Sequence, residues 1–278
     1  MKEVLVTGGA GFIGSHLLEE LIKNKDYKIT VLDDLSTGKI NNIKNLIKYI
    51  DFYNLKVQDF DLNKKFDIVY HLAAKANTRE KGLKDFEDNV LATEAVTKTL
   101  KPEGHIYFSS SCAVYGNQSF VTEQTPFNPI SPYGFSKWMN ELTIKLNCKK
   151  WTIFRFGNVF GERQDGSTEM GLVGVISYNL KNNTKMEVFN NGENKRDYIY
   201  VKDVVKALIN INNKDVYQVS QNKTYKTIEL VNLSGVKYKI GRTNTEVNNI
   251  QLDNTKLKQM GWTPTLSVID YINKIKNG

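Results

Sequence analysis

The sequence predicts an α/β protein: a doubly wound parallel sheet with helices on both faces, followed by a smaller C-terminal α/β lobe. Three observations predict it. Short β-branched apolar runs alternate with helical stretches up to about Gly161, a glycine-rich turn joins the first strand to the first helix, and past Gly161 the rhythm loosens. In order, "EVLVT" at 3–7 reads as a buried parallel strand ended by glycines. "LLEELIKN" has helical spacing, and "KITVLD" is a second strand ending in acid. "FDIVYHLA" is a strand, 85–100 is helical and "HIYFSS" is a strand; 133–147 is a helix, and "WTIFRF" is another strand. Beyond Gly161, "RQDGSTEMG" reads as an irregular loop, "VGVISYNLKN" as a helix and "KMEVFNNGENKRDYIYV" as strand, turn, strand. "DVVKALINI" is helical, "VYQVS" is a strand, and 224–278 offers short elements around "GWTP". The expected division is 1–161 and 162–278, with chain crossing back to the sheet around 197–220.

The 278 residues carry a net charge of +8, almost all of it from lysine spread along the chain. No basic stripe or RNA-binding aromatic motif accompanies it, which argues against a nucleic-acid partner and leaves a mild field favouring a small anionic substrate. Cys112 and Cys148 lack metal or redox spacing, and His16, His71 and His105 are too scattered for a metal site. No charged start precedes an apolar stretch, and no run of eighteen apolar residues occurs. The expectation is a soluble cytoplasmic protein with no membrane partner and no metal.

"TGGAGFIG" places Gly8, Gly11 and Gly14 at three-residue spacing between a strand and a helix. Glycine there permits a tight turn and lets backbone N–H groups approach a pyrophosphate at the helix N-terminus. Asp33 closes the second strand, where a carboxylate accepts the ribose 2′-OH and repels a 2′-phosphate, so the cofactor expected is NAD; Asp34 is the alternative acid. In "VQDFD", Asp59 is placed to accept from an adenine amine and Phe60 to pack its ring. "SPYGFSKWMNEL" carries Tyr133 and Lys137 four residues apart on one helical face. On a wet face that pair means nothing; in a cleft, a phenol beside an ammonium can transfer a proton.

The motifs "TGGAGFIGSHL", "LDDLSTG", "HLAA", "FSSSCAVYG", "PYGFSK", "RFGNVFG", "RDYIYVKDVV" and "LDNTKLKQMGWTP" run in order along nearly the whole chain. Together they resemble the extended short-chain dehydrogenase/reductase family, and within it the nucleotide-sugar epimerases and dehydratases, with UDP-glucose 4-epimerase-like members the nearest. The resemblance implies a Rossmann lobe for NAD and a C-terminal lobe for a nucleotide sugar. It implies Ser111, Tyr133 and Lys137 as the catalytic set, with Ser111 and Tyr133 also meeting the sugar. Around the cofactor it implies Phe12, Ile13, Leu72, Ala73, Ala74, Ser109 and Phe156, besides Tyr133 and Lys137 themselves. Asn158 and Arg196 match residues holding the diphosphate; Arg242 and Glu246 stand where a second arginine and a ribose acid are found. A homodimer joined through helices near 85–100 and 133–147 is also implied. Tyr115, His71 and Asn89 read as structural, Asp203 as a cap or a site residue, and Lys75 and Arg79 receive no role.

Oxidising a ring hydroxyl removes a hydride, which NAD takes, and a proton, which Tyr133 would take. A free phenol titrates near 10; Lys137 and the cofactor's positive ring are expected to lower it. Family dehydratases carry acids just after the serine strand, whereas Cys112 and Ala113 stand there in this chain. That favours oxidation and re-reduction at C4 of a UDP-hexose, N-acetylated forms included, with no other bond broken. The alternatives are a net dehydrogenase or reductase of a nucleotide-linked sugar, and a non-catalytic NAD-binding regulatory module.

Overall fold

The computed structural model describes residues 1–76, 83–167, 171–241 and 249–277. The chain opens with β1 (Lys2–Thr7), α1 (Phe12–Leu21), β2 (Tyr27–Leu32), β3 (Asp51–Tyr53) and β4 (Phe66–His71). Then come α2 (Leu83–Thr99), β5 (Leu100–Ser111), the two-residue β6 (Phe120–Val121), α3 (Pro132–Asn147) and β7 (Lys150–Phe156). Ser131 starts α3 by accepting a 3.1 Å hydrogen bond from the Gly134 N–H, with Pro132 in the first turn where its missing donor costs nothing. The strands order as β3-β2-β1-β4-β5-β7, with β11 (Asp215–Val219) beyond β7. All registered pairs in it are parallel. The order reverses between β1 and β4, so the chain ends after Thr7 and His71 lie side by side; ligands of such sheets bind at that crevice. Leu5, Phe66, Val69, Ile106 and Phe108 from the sheet pack with Val96 of α2 and Ile144 of α3 in one buried cluster.

The remaining elements are β8 (Asn158–Phe160), α4 (Leu172–Asn182), β9 (Met186–Val188), β10 (Lys195–Tyr200) and α5 (Val201–Asn210), followed after β11 by β12 (Thr224–Lys226), α6 (Thr227–Ser234), β13 (Tyr238–Ile240), β14 (Asn249–Leu252), α7 (Thr255–Gln259) and α8 (Val268–Asn277). A second sheet orders β12-β10-β14-β6, with β8 also on β10, and β9 pairs with β13. Asp197 of β10 is fully buried, and its carboxylate accepts from the Gln221 N–H at 3.0 Å and the Leu252 N–H at 3.2 Å. Burial pushes its pKa up to about 7, against those donors. Asp203 closes the "GWTP" turn: it accepts from the Thr265 N–H at 2.8 Å and hydroxyl at 2.6 Å, while the Trp262 indole donates to its carbonyl. Those bonds give Asp203 a structural task in the turn.

Two compact units result: 1–114 with 129–155 and 205–217, and 115–128 with 156–204 and 218–278. The sequence reading had one cut after Gly161 and a return over 197–220; the units change after Arg155 and the return is 205–217. Residues 115–128 belong with the later unit because β6 pairs with β14 (Gln251↔Phe120). Two residues of strand leave no periodic signal, so the sequence did not announce that pairing. Among the described residues no helix is long and apolar enough to cross a membrane.

Candidate active site

The glycine turn is built for close approach. Gly8 has φ +71°, and a Cβ there would stand 2.7 Å from the Ala73 nitrogen; one on Gly14 would overlap the Gly8 carbonyl. Gly11 caps α1 with no side-chain hydrogen bond, which leaves the first-turn donors beside Phe12 and Ile13 to something else. Gly14→Ala is expected to cost about 1–3 kcal/mol in urea unfolding, because the obstruction is backbone and cannot swing aside.

Asp33 is 7 % exposed and braces this turn, accepting from the Ala10 N–H and the Leu35 N–H, each at 2.9 Å. Burial raises its pKa while those backbone donors oppose the rise. Asp34 is exposed and accepts from its own loop, from the Ser36 N–H and hydroxyl. Asp59 lies in a short 3-10 turn and is exposed. Phe60 is a correction: it is 7 % exposed, edge-on to Tyr53 at 5.5 Å and tilted against Phe66 at 6.2 Å, so its ring serves the core and is not open to a base. Leu72 and Ala73 hydrogen-bond to Thr7 beside Gly8, with Ala74 half-buried after them. Lys75 pairs with Asp88 at 2.8 Å. Arg79 lies outside the described residues.

His71, read from sequence as structural, is the hub of a buried relay. Its Nδ1 lies 2.7 Å from the Thr7 hydroxyl and its Nε2 2.9 Å from the Thr93 hydroxyl. Thr93 donates to the Asn89 carbonyl and Thr7 accepts from the Ala73 N–H. The hydroxyl protons then assign the tautomer: Nδ1 accepts from Thr7, and Nε2–H donates to Thr93. Burial, with Lys137 adding, drops the imidazole pKa to about 3, so the ring is neutral. Asn89 continues the tie to α3 through Ser136 at 3.2 Å, and Ser136 donates to the Tyr133 carbonyl.

Ser111, Tyr133 and Lys137 come together at the end of β5. Gly134 makes this possible, since a Cβ there would lie 2.6 Å from the Ala113 carbonyl oxygen. The Ser111 hydroxyl hydrogen-bonds the phenol of Tyr133 and accepts from the Ala113 N–H at 3.1 Å. Lys137 is 2 % exposed and donates to the Ser109 carbonyl at 2.6 Å, with its nitrogen 5.7 Å from the Tyr133 ring centre. Ser109 is buried and donates to the His71 carbonyl.

The charges contradict one expectation. Burial pushes the Tyr133 phenol up to about 12, with the Ser111 hydrogen bond opposing and Cys112 adding to the rise. Lysine does not lower it. Burial instead pulls Lys137 down to about 7, opposed by Glu141. Desolvation disfavours the charged form of both groups.

Glu141, Arg155 and Ser110 receive no role in the sequence analysis. Arg155 forks Glu141 at 2.9 and 2.7 Å, and Ser110 donates to the same carboxylate at 2.6 Å. The signal available was Glu141 at i+4 from Lys137, on the same helical face.

In the later unit, Phe156 is buried at 5 % exposure, Asn158 is half-buried with its amide 3.4 Å from the Asp197 carbonyl oxygen, and Arg196 is half-buried and donates to the Lys195 carbonyl at 3.1 Å. Tyr115 is buried, its hydroxyl donating to the Thr122 carbonyl. Arg242 and Glu246 lie outside the described residues.

This arrangement has known counterparts. A protein of Methanocaldococcus jannaschii, named as a candidate UDP-glucose 4-epimerase, is 35% identical over 302 residues, covering 99% of this chain and 97% of its own. The crystal structure of Thermotoga maritima UDP-glucose 4-epimerase with UDP-glucose matches with a TM-score of 0.85 at 29% identity, covering 99% of this chain and 97% of that one. The UDP-glucose 4-epimerase of Thermus thermophilus, complexed with NAD, matches at 0.84 with 27% identity over 99% and 98%. A sequence model of one family matches residues 4–225, from the first strand through both candidate-site regions. By that match and by its relatives, the chain belongs to the NAD-dependent epimerase/dehydratase family.

Proposed function

We propose that the protein is an NAD-dependent nucleotide-sugar 4-epimerase acting on a UDP-hexose, in the cytoplasm. One observation carries the reading. Ser111, Tyr133 and Lys137 gather at the strand end, while residues 109–115 hold no acid that could expel water from a sugar. The relatives' activity on UDP-glucose supports the substrate class. Both cysteines stand as thiols, which suits a reducing compartment.

The residues present fit NAD. The Gly8–Gly14 turn leaves a cradle that a Cβ would fill, α1 offers first-turn donors without a side-chain cap, and Asp33 keeps a lone pair for a ribose hydroxyl beyond its backbone donors. Bound NAD supplies acceptance and return of the C4 hydride. The chain's own part is proton handling. Tyr133 Oη takes the hydroxyl proton as the sugar passes to its 4-keto form and returns it on re-reduction, while the Ser111 hydroxyl holds the reacting oxygen. Lys137 holds a cofactor ribose. Asn158 and Arg196 take the diphosphate, for which a guanidinium fork suits paired phosphate oxygens.

Purified protein given NAD and UDP-glucose, UDP-galactose or their N-acetylated forms is expected to yield the C4 epimer by proton NMR, with no net absorbance at the reduced-nicotinamide band. Absence of any epimer, or steady build-up of reduced cofactor, defeats the reading.

We also propose a homodimer through α2 and α3. Leu91 on α2 and Phe135, Met139, Leu142 and Leu146 on α3 are all exposed, Leu146 at 84 %. The α3 residues fall on one helical face, an apolar stripe that a second copy would bury. Met139→Asp with Leu146→Asp is expected to give the monomer mass in sedimentation equilibrium. A parent protein that sediments as a monomer, or a variant still dimeric, rejects this interface.

A further inference from the structure

Beneath Tyr133 and Lys137 lies a buried ion pair that the proposed reaction does not use. Glu141 follows Lys137 by one turn of α3, and the two are 0 % and 2 % exposed. Arg155 of β7, also 2 % exposed, donates from Nε to Oε1 at 2.9 Å and from Nη2 to Oε2 at 2.7 Å. Ser110 donates to Oε1 at 2.6 Å, and the Lys145 ammonium stands 3.6 Å from Oε2. Such a pair is a poor way to gain stability, because well-packed apolar residues often serve as well or better. Its neighbours suggest another use. Ser110 lies between Ser109, whose carbonyl takes the Lys137 ammonium, and Ser111, whose hydroxyl meets the phenol.

We infer that Glu141, clamped by Arg155 and Ser110, is a positioning residue that keeps Lys137 charged and fixes the strand end that carries Ser111. Its meaning for catalysis rests on the 4-epimerase reading; its effect on Lys137 does not. Among the described residues, Tyr133 and Glu141 act on Lys137 from α3 and His71, held neutral by burial, from β4; Arg155 of β7 engages Glu141, and Cys112 acts on Tyr133. Burial strips water from Lys137, and the Glu141 charge opposes the resulting loss of the proton. The same carboxylate fixes Ser110, so one group sets both the lysine's charge and the strand's place.

The test reads Lys137 directly. In ligand-free protein labelled at the lysine ε-carbon, its NMR resonance, assigned by absence in Lys137→Met, is followed against pH. The parent is expected to titrate near 7. Glu141→Gln with Arg155→Met removes both charges, so that the arginine is not left buried without its partner; the midpoint is expected to fall by about half a unit or more, Glu141 being the charge that sustains the Lys137 proton. Glu141→Asp, which keeps the charge but draws it back, is expected to fall in between. An unchanged or higher midpoint in the double variant overturns the proposal, and so does a midpoint for Glu141→Asp as low as the double's. Ser110→Ala, a small change that leaves the ion pair in place, is expected to lower kcat several-fold at constant KM. Unchanged kcat overturns the strand-end half. If the parent itself epimerises nothing, the functional reading fails while the Lys137 titration still decides the charge claim.

Discussion

Tyr133→Phe is expected to leave the fold intact and reduce turnover by about 10²–10⁴-fold, the range that a positioned acid–base group supplies. The substitution keeps the ring and removes one oxygen. Helix α3 starts on Ser131 and Pro132, and Ser136 bonds the Tyr133 carbonyl, so none of the contacts that place the residue uses the phenol. The phenol's recorded partner is Ser111, itself at the reacting end of β5. The chain alone holds that phenol near 12, so at pH 7 the phenolate is disfavoured by roughly 7 kcal/mol, at about 1.4 kcal/mol per pH unit. Tyr133 is therefore suited to take a proton only when another positive charge joins the site. Melting temperature and NAD titration should match the parent, with kcat carrying the loss. A variant within a few-fold of parental kcat would remove the phenol from the mechanism.

His71→Gln is expected to make stability depend on pH in a way that only a buried neutral imidazole explains. Folded His71 is held near 3 by burial, against about 6.5 when unfolded. The sign follows from which state binds the proton. Below 6.5 the unfolded chain takes it up and the folded chain does not, so the stability His71 contributes is complete above 6.5 and drains away as pH falls toward 3. At pH 8 the variant should be less stable by about 1–3 kcal/mol, because the Thr7 and Thr93 hydroxyls lose well-aimed buried partners. Below pH 6.5 the parent's advantage should shrink by about 1.4 kcal/mol per pH unit. His105, depressed to about 4, and Asp197, raised to about 7, act equally in both proteins and cancel in the difference. Urea unfolding of both proteins from pH 8 to pH 5 measures it. Parallel curves would mean that folded His71 takes up its proton over the same pH range as the unfolded chain.

Much of the site was legible because its parts are local. Gly8, Gly11 and Gly14 meet one turn, and Tyr133 and Lys137 share a helix face; spacing alone fixes such neighbours. Asp33 was found as the strand-end acid, but its bracing of Ala10 came only with the folded loop. Phe60 was misjudged because an aromatic beside an acid looks the same whether it faces a ligand or, as here, Phe66 and the core. Asp203 left two readings open until Thr265, distant in sequence, arrived as its partner.

By itself the sequence determined the alternating sheet, the phosphate-type turn, the tyrosine–lysine pair and the absence of an acid after the serine strand. Those depend on residue type and on separations of a few positions, which backbone geometry translates directly into faces and turns. Only the tertiary structure decided that the phenol is raised and the lysine lowered, that His71 is a neutral hub, and that Arg155 reaches Glu141 beneath the lysine. Loss of water and the meeting of distant charges are properties of the packed chain, and no local spacing encodes them.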